Sequence, residues 1–114
     1  MVAPAAGDIV LVPFPFSDLT STKVRPSVCL ADAGRGDWVL CQITSSPYGD
    51  PIAQALTGTD FATGGLSIAS FARPSKLFTA NGSLLVGIVG RLTGPALHRI
   101  VAAVINVFQP SAGP

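Results

Sequence analysis

Two arginines in this chain stand directly before prolines, Arg25-Pro26 and Arg73-Pro74, and a threonine, Thr44, closes an apolar run just ahead of Ser45 and Ser46. A residue before proline is pushed out of the helical region into extended backbone. Each arginine is therefore expected at a strand boundary, from which its side chain can reach a surface cleft. A guanidinium is planar, stays charged and presents a fork of donors that matches phosphate oxygens. The competing use is an ion pair with a nearby aspartate. The Thr44 hydroxyl can donate to a phosphate oxygen or orient a water, or it can simply bond backbone at a strand end. Arg25 and Thr44 are the candidate catalytic pair. Arg73, Lys23, Gln42, Ser45, Ser75 and Tyr48 are the candidate substrate contacts: Gln42 shares a strand face with Thr44, and Tyr48 sits in a loop where its ring can stack on a base.

Other chemistries find less support. His98 is the one histidine, placed beside the apolar stripe of a helix as a surface or boundary residue. No Ser-His-Asp set is readable, metal ligands do not cluster at any usual spacing, and no glycine-rich phosphate loop is present. No cofactor is expected. Trp38 and Phe71 suit core positions better than base stacking.

Short strands must position these side chains. Residues 9–16 form a continuous apolar run in which Pro13 and Pro15 share parity, so both missing N–H groups face one side, which must lie at an edge. Residues 17–23 read as a loop. Pro26 opens a second strand over 27–31, 32–37 turns, and 38–44 is a third strand. On it Trp38, Leu40, Gln42 and Thr44 share one face, and Val39, Cys41 and Ile43 the other. Weaker signals predict a strand at 52–57, a turn at 63–65, strands at 66–72 and 76–79, a turn at Asn81-Gly82 and a strand at 84–92. Gly87 and Gly90 within that last strand predict a bulge or close backbone approach. The period then changes: Leu97, Ile100, Val101, Val104, Ile105 and Phe108 describe an amphipathic helix, with Thr93 or Gly94 as cap, Pro95 in its first turn and Gln109-Pro110 at its end. Many short strands followed by one terminal helix predict a mainly β fold, a small barrel with the helix packed on it.

The 114 residues suit one domain, 1–110, with a disordered tail at 111–114. Only 11% of residues are charged, against roughly 25% on average. So few charges point to an apolar face hidden by self-association. The net charge of +1 excludes a strongly basic nucleic-acid binder, so contact with phosphate must come from a local patch. Cys29 and Cys41 are expected to be reduced and buried, although a disulfide is conceivable if their strands pair. No signal peptide or membrane span is legible, and a cytoplasmic protein is expected.

The runs GDIVLVPFPF, KVRPSVCLA, DWVLCQITS, SFARPSKLFTA and VGRLTGPALHRIVAAVINVF, in this order, resemble the MazF/PemK family of toxin endoribonucleases, in particular its PemK-like branch. The resemblance implies an SH3-like β-barrel with a C-terminal helix, a homodimer, and metal-independent cutting of single-stranded RNA at short sequences in a cleft at the dimer interface. It also implies a cognate antitoxin protein as partner. By motif the catalytic arginine falls on Arg25 and the hydroxyl on Thr44, and residues 17–23 correspond to a loop bordering the RNA. One position departs. Some members carry an acid two residues after the second arginine, where this chain has Ser75, leaving Asp50 and Asp18 as possible substitutes or the protein as a weak or inactive binding module.

Overall fold

Seven antiparallel strands build the molecule: β1 (Asp8–Pro15), β2 (Thr22–Gly34), β3 (Asp37–Thr44), β4 (Gln54–Leu56), β5 (Phe61–Gly64), β6 (Ser70–Asn81) and β7 (Gly87–Leu92). Among the described residues these seven form one sheet in the order β4-β6-β3-β2-β1-β7-β5, followed by one α-helix, α1 (Gly94–Val107). The computed structural model describes residues 2–15 and 22–109. Residues 17–21 of the expected 17–23 loop, Asp18 among them, and the tail at 111–114 lie outside those residues. The curled sheet with its C-terminal helix is the expected barrel-type fold.

Curling gives the sheet two apolar faces. Ile9, Val28, Cys41, Ile43, Ala72 and Leu92 point to one, where they meet Ala96 and Ile100 of α1. Val10, Val12, Cys29, Leu40, Ala80 and Leu85 point to the other, closed by Val2, Phe14, Trp38 and Phe78. Burying each Ile or Val fully contributes about 1.5–3 kcal/mol. Trp38 and the edge-to-face pair Phe14–Phe78, with ring centroids 5.1 Å apart, thus serve packing.

The Thr93 hydroxyl caps α1 by accepting from the Ala96 N–H, and Pro95 follows in the first turn. The helix packs its apolar side on the sheet through Ala96, Leu97, Ile100 and Val104. Ile105 and Phe108, expected on the buried stripe, are exposed, because the stripe runs on past the last side chain that packs on the core.

Prolines explain further details. β1 pairs with β7 only from Asp8 to Leu11, where the Leu11 carbonyl accepts from Val86 N–H. Pro13 and Pro15 have the same parity as Leu11, so their missing donors fall on the side that has no partner strand. β2 runs from Thr22, so Pro26 lies inside the strand instead of opening it, and the 17–23 loop is shorter than expected at its end. Arg73-Pro74 is likewise inside β6. There Gln42 alone separates the Cys41–Leu77 pair from the Ile43–Ala72 pair, so residues 73–76 form a bulge and the buried Pro74 costs no ladder bond.

The first hairpin turns on Arg35 and Gly36, at φ 56° and 80°, a two-residue turn tighter than the expected 32–37 segment. Residues 61–64 are strand and not turn, and 66–69 are not strand. Gly64, at φ 63°, passes so near Gly90 that a Cβ there would meet the Val89 carbonyl. Beside it β7 slips register against β1 between the Ile9–Gly90 and Val10–Ile88 pairs, making Val89 the extra residue.

Candidate functional site

Register alone brings the first arginine to the threonine. β1 and β2 pair Val12 with Arg25, and β2 and β3 pair Ser27 with Gln42. Carrying the latter register two residues further puts Arg25 across from Thr44 on one face. Both line a cleft of about 250 Å³ at the end of the sheet, together with Lys23, Val24, Ser45, Leu66, Ser67, Ile68 and Ser70. Lys23 is exposed and Arg25 half-buried, so the cleft carries two cations and a set of hydroxyls, with the apolar Leu11, Pro26 and Ile43 also in its lining. Such a lining suits an anion with apolar groups attached.

The Thr44 hydroxyl is engaged at home. It accepts from Ser46 N–H at 3.1 Å and donates to Ser46 carbonyl at 3.3 Å, the strand-end use set against chemistry above. To donate to a ligand it must give up the longer of the two bonds, while the accepted one goes on holding the turn. One row deeper on the same face, the fully buried Ser27 Oγ has no partner among the described residues.

Arg73 takes the other course open to an arginine. Its Nε donates to Asp50 Oδ2 at 2.8 Å, and the Asp50 side chain is only 5% exposed. The hydrogen bond from Arg73 holds the Asp50 pKa below the ordinary carboxylate value, so Asp50 is a bound anion and a poor general base. Gln42, Ser75 and Tyr48 do not line the cleft: Gln42 is part-buried in the row below, Ser75 is exposed in the β6 bulge, and Tyr48 is 90% exposed on the 47–50 turn. His98 is exposed on α1.

The residues that sequence reasoning missed are Leu66, Ser67, Ile68 and Ser70. Their apolar-polar alternation imitates a strand, yet the segment forms one wall of the cleft and leaves Ile68 64% exposed. A large apolar side chain so exposed beside two cations is the signal that separates a binding wall from a strand.

The thiols belong to the core. The register pairs Cys29 with Leu40 and Val28 with Cys41, so the two cysteines point to opposite faces and cannot form a disulfide; both are free and buried. Burial pushes the Cys29 thiol up to about 11 and the Cys41 thiol to about 12, and Cys41 Sγ donates to the Arg73 carbonyl at 3.2 Å. No group of three or more metal-ligating side chains gathers among the described residues. No helix among them is long and apolar enough to cross a membrane.

No family model and no curated protein matches the chain by sequence. Solved structures do match by fold. The chain is similar to a subunit of the MazE–MazF complex of Deinococcus radiodurans, at TM-score 0.75 and 19% identity over 97% of this chain and 100% of that one. It is similar to an endoribonuclease of a mycobacterial species solved with its cognate antitoxin, at TM-score 0.71 and 16% identity over 97% and 99%. It is similar also to the toxin MazF-mt6 of Mycobacterium tuberculosis, at TM-score 0.67 and 20% identity over 89% and 95%. The chain has the MazF fold, across essentially its full described length.

Proposed function

We propose that this protein is the toxin of a toxin–antitoxin pair, an endoribonuclease that cuts single-stranded RNA at a short sequence, in the cytoplasm and without a metal. The observation that carries this reading is the cleft that unites Arg25 with Thr44, Lys23 and Ser45. Endoribonuclease and toxin structures of the same fold support it.

The substrate's own 2′-hydroxyl attacks the adjacent phosphorus, a P–O2′ bond forms, and the P–O5′ bond breaks to leave a cyclic phosphate and a 5′-hydroxyl. What this displacement needs most is stabilisation of the charge on the pentacoordinate phosphorus oxygens. Arg25 supplies it, and Thr44 adds a hydrogen bond by exchanging its Ser46 carbonyl for a phosphate oxygen. Arginine keeps its proton at a pKa above ~12, so Arg25 acts electrostatically and not as the base. Lys23 and Ser45 hold flanking phosphates. Ile68 and Val24, both exposed at the rim, give bases an apolar surface.

The partners in this reading are a second copy of the chain and an antitoxin protein. Leu84 and Val86, in the segment that leads into β7, are exposed apolar side chains, available to a second copy in a chain with so few charges. Sedimentation should show a dimer at micromolar concentration, and a stable monomer would remove the shared cleft from the proposal.

One observation favours a second reading, a binding module that holds RNA without cutting it. The described residues lining the cleft include no carboxylate and no imidazole, and Asp50 is committed to Arg73. Incubating a long single-stranded RNA in EDTA with wild type and with Arg25→Ala separates the two. Cuts at one short motif by wild type alone establish the nuclease. RNA bound but intact in both establishes the binding module.

A further inference from the structure

We propose that a recess between β1, β5 and β7 is a second nucleotide subsite, in which Arg91 and Thr63 hold a phosphate of the RNA strand that passes Arg25. The subsite rests on the reading of the chain as an RNA-binding protein and extends it beyond the cleft. The recess has a volume of about 440 Å³ and is lined by Asp8, Thr63, Gly64, Ile88, Gly90 and Arg91, with Val89.

Its cation is oriented in advance. Asp8, with a side chain 4% exposed, accepts from Ala5 N–H through Oδ2 and from Arg91 Nε through Oδ1, both at 2.8 Å. That anchors one edge of a guanidinium whose side chain is 54% exposed. Among the described residues its terminal nitrogens make no hydrogen bond, so they keep their donors for a ligand. Thr63 pairs with Arg91 across the β5–β7 register and therefore shares its face. Its exposed hydroxyl is likewise unengaged among the described residues. Gly64 and Gly90 contribute no side chains to stand over the floor, and Ile88, 46% exposed, offers a surface for a base. Asp8 offsets much of the Arg91 charge, so the recess selects a phosphodiester by the geometry of its donors more than by charge.

Two connections tie the recess to the cleft. Asp8 lines the recess, and Val12, on the same face of β1 about 13 Å further along at the usual strand rise, pairs with Arg25 of the cleft. The chain that leaves the recess at Thr63 and Gly64 becomes the cleft wall at Leu66 to Ile68. An extended single strand covers that separation in a couple of nucleotides.

The test is titration of the ¹⁵N-labelled protein with each of the four nucleoside 5′-monophosphates, followed by NMR. The expected result is displacement of the Arg91 Nε–Hε signal and of the Thr63, Gly64 and Gly90 amides. Affinity for this recess should fall about tenfold or more in Arg91→Gln. Thr63→Val, a substitution on an exposed strand position that leaves the Asp8–Arg91 pair intact, should weaken it as well. With an RNA oligonucleotide on the Arg25→Ala background, adding Arg91→Gln should lower the slope of log affinity against log salt by about 0.7, the loss of one phosphate contact on a single strand. Nucleotide shifts confined to the Arg25 cleft would overturn the subsite, and so would an unchanged salt slope. An oligo-aspartate peptide that moves the recess signals while nucleotides do not would also overturn it, assigning the recess to a protein partner. Because mononucleotide binding is read without cleavage, RNA left intact by the wild-type protein alongside recess shifts would refute the nuclease reading and leave the subsite standing.

Discussion

Arg25-Pro26 and Arg73-Pro74 are the same dipeptide in two strands of one sheet, and they end in different company. Both prolines force the preceding arginine into extended backbone, and both lie inside strands, β2 and β6. The β2 dipeptide keeps register with β1, pairing Arg25 with Val12 and Pro26 with Leu11, and so delivers its guanidinium to the cleft. The β6 dipeptide sits where β6 bulges away from Gln42, and its guanidinium meets Asp50 from the 47–50 turn. The dipeptide sets only the local backbone. Whether the arginine serves a ligand or the fold is decided by what the sheet brings opposite it.

Replacing each arginine in turn probes that contrast most strongly. Removing a preorganised donor from a developing anion costs roughly 100- to 1000-fold in rate, so Arg25→Ala should lose RNA cleavage by that factor while it still folds. Arg73→Ala should do the reverse. It leaves the enclosed Asp50 carboxylate without its partner and the bulge without its clasp, so Tm should fall while the rate per folded molecule changes far less. Equal rate losses in the two variants, measured on the same RNA, would erase the distinction.

Acid should weaken the clasp on the second arginine. Arg73 holds the Asp50 pKa below the ordinary value, so the folded state binds this proton more weakly than the unfolded chain, where aspartate titrates near about 3.9. The stabilisation is fully present above that value and is lost as pH falls through the depressed folded pKa. Asp60, lowered mainly by the Thr57 N–H and then by Arg99, contributes in the same direction. Urea unfolding from pH 6 downward should therefore show stability falling below about pH 4. Asp50→Asn should flatten part of that fall, and an unchanged acid limb in this variant would count against the pair.

A smaller effect is expected from the threonine opposite Arg25. Its hydroxyl already serves Ser46, so its net gain on reaching a phosphate is reduced. Thr44→Val should cost about tenfold in rate, and Thr44→Ser should restore most of it. Failure of serine to rescue would mean that the methyl packing, not the hydroxyl, carries the effect.

Much of this was legible in the residues. Parity placed Pro13 and Pro15 on an unpartnered side, and Gly90 marked a close approach, because both signals depend on backbone geometry that a side chain either permits or forbids. The apolar period placed α1, yet it could not tell that Ile105 and Phe108 run past the sheet, since a period carries no information about where the opposing surface stops. The pairing of Arg73 with Asp50 spans 23 positions and depends on a bulge that only the fold creates. Leu66 to Ile68 alternate like a strand because both a strand and an irregular wall set apolar groups against polar ones. For the same reason Cys29 and Cys41 looked able to meet: strand adjacency was readable, whereas the register that turns them to opposite faces was not.

The finest test concerns Ser75, at the position where the family resemblance implies an acid in some members. If a missing base limits catalysis, Ser75→Asp should raise the rate. The geometry argues against a gain, because Ser75 is exposed in the bulge of β6 and does not line the cleft of Arg25 and Thr44. Its neighbours within that bulge are the buried Pro74 and the exposed Lys76, and a new carboxylate there would be solvated or drawn to Lys76. Cleavage rates of Ser75→Asp and wild type should therefore agree across pH 5 to 8, with no new ionisation in the profile of the variant. A rate increase that follows the titration of one carboxylate would show instead that β6 reaches the scissile phosphate, and that the second Arg-Pro strand belongs to the active site after all.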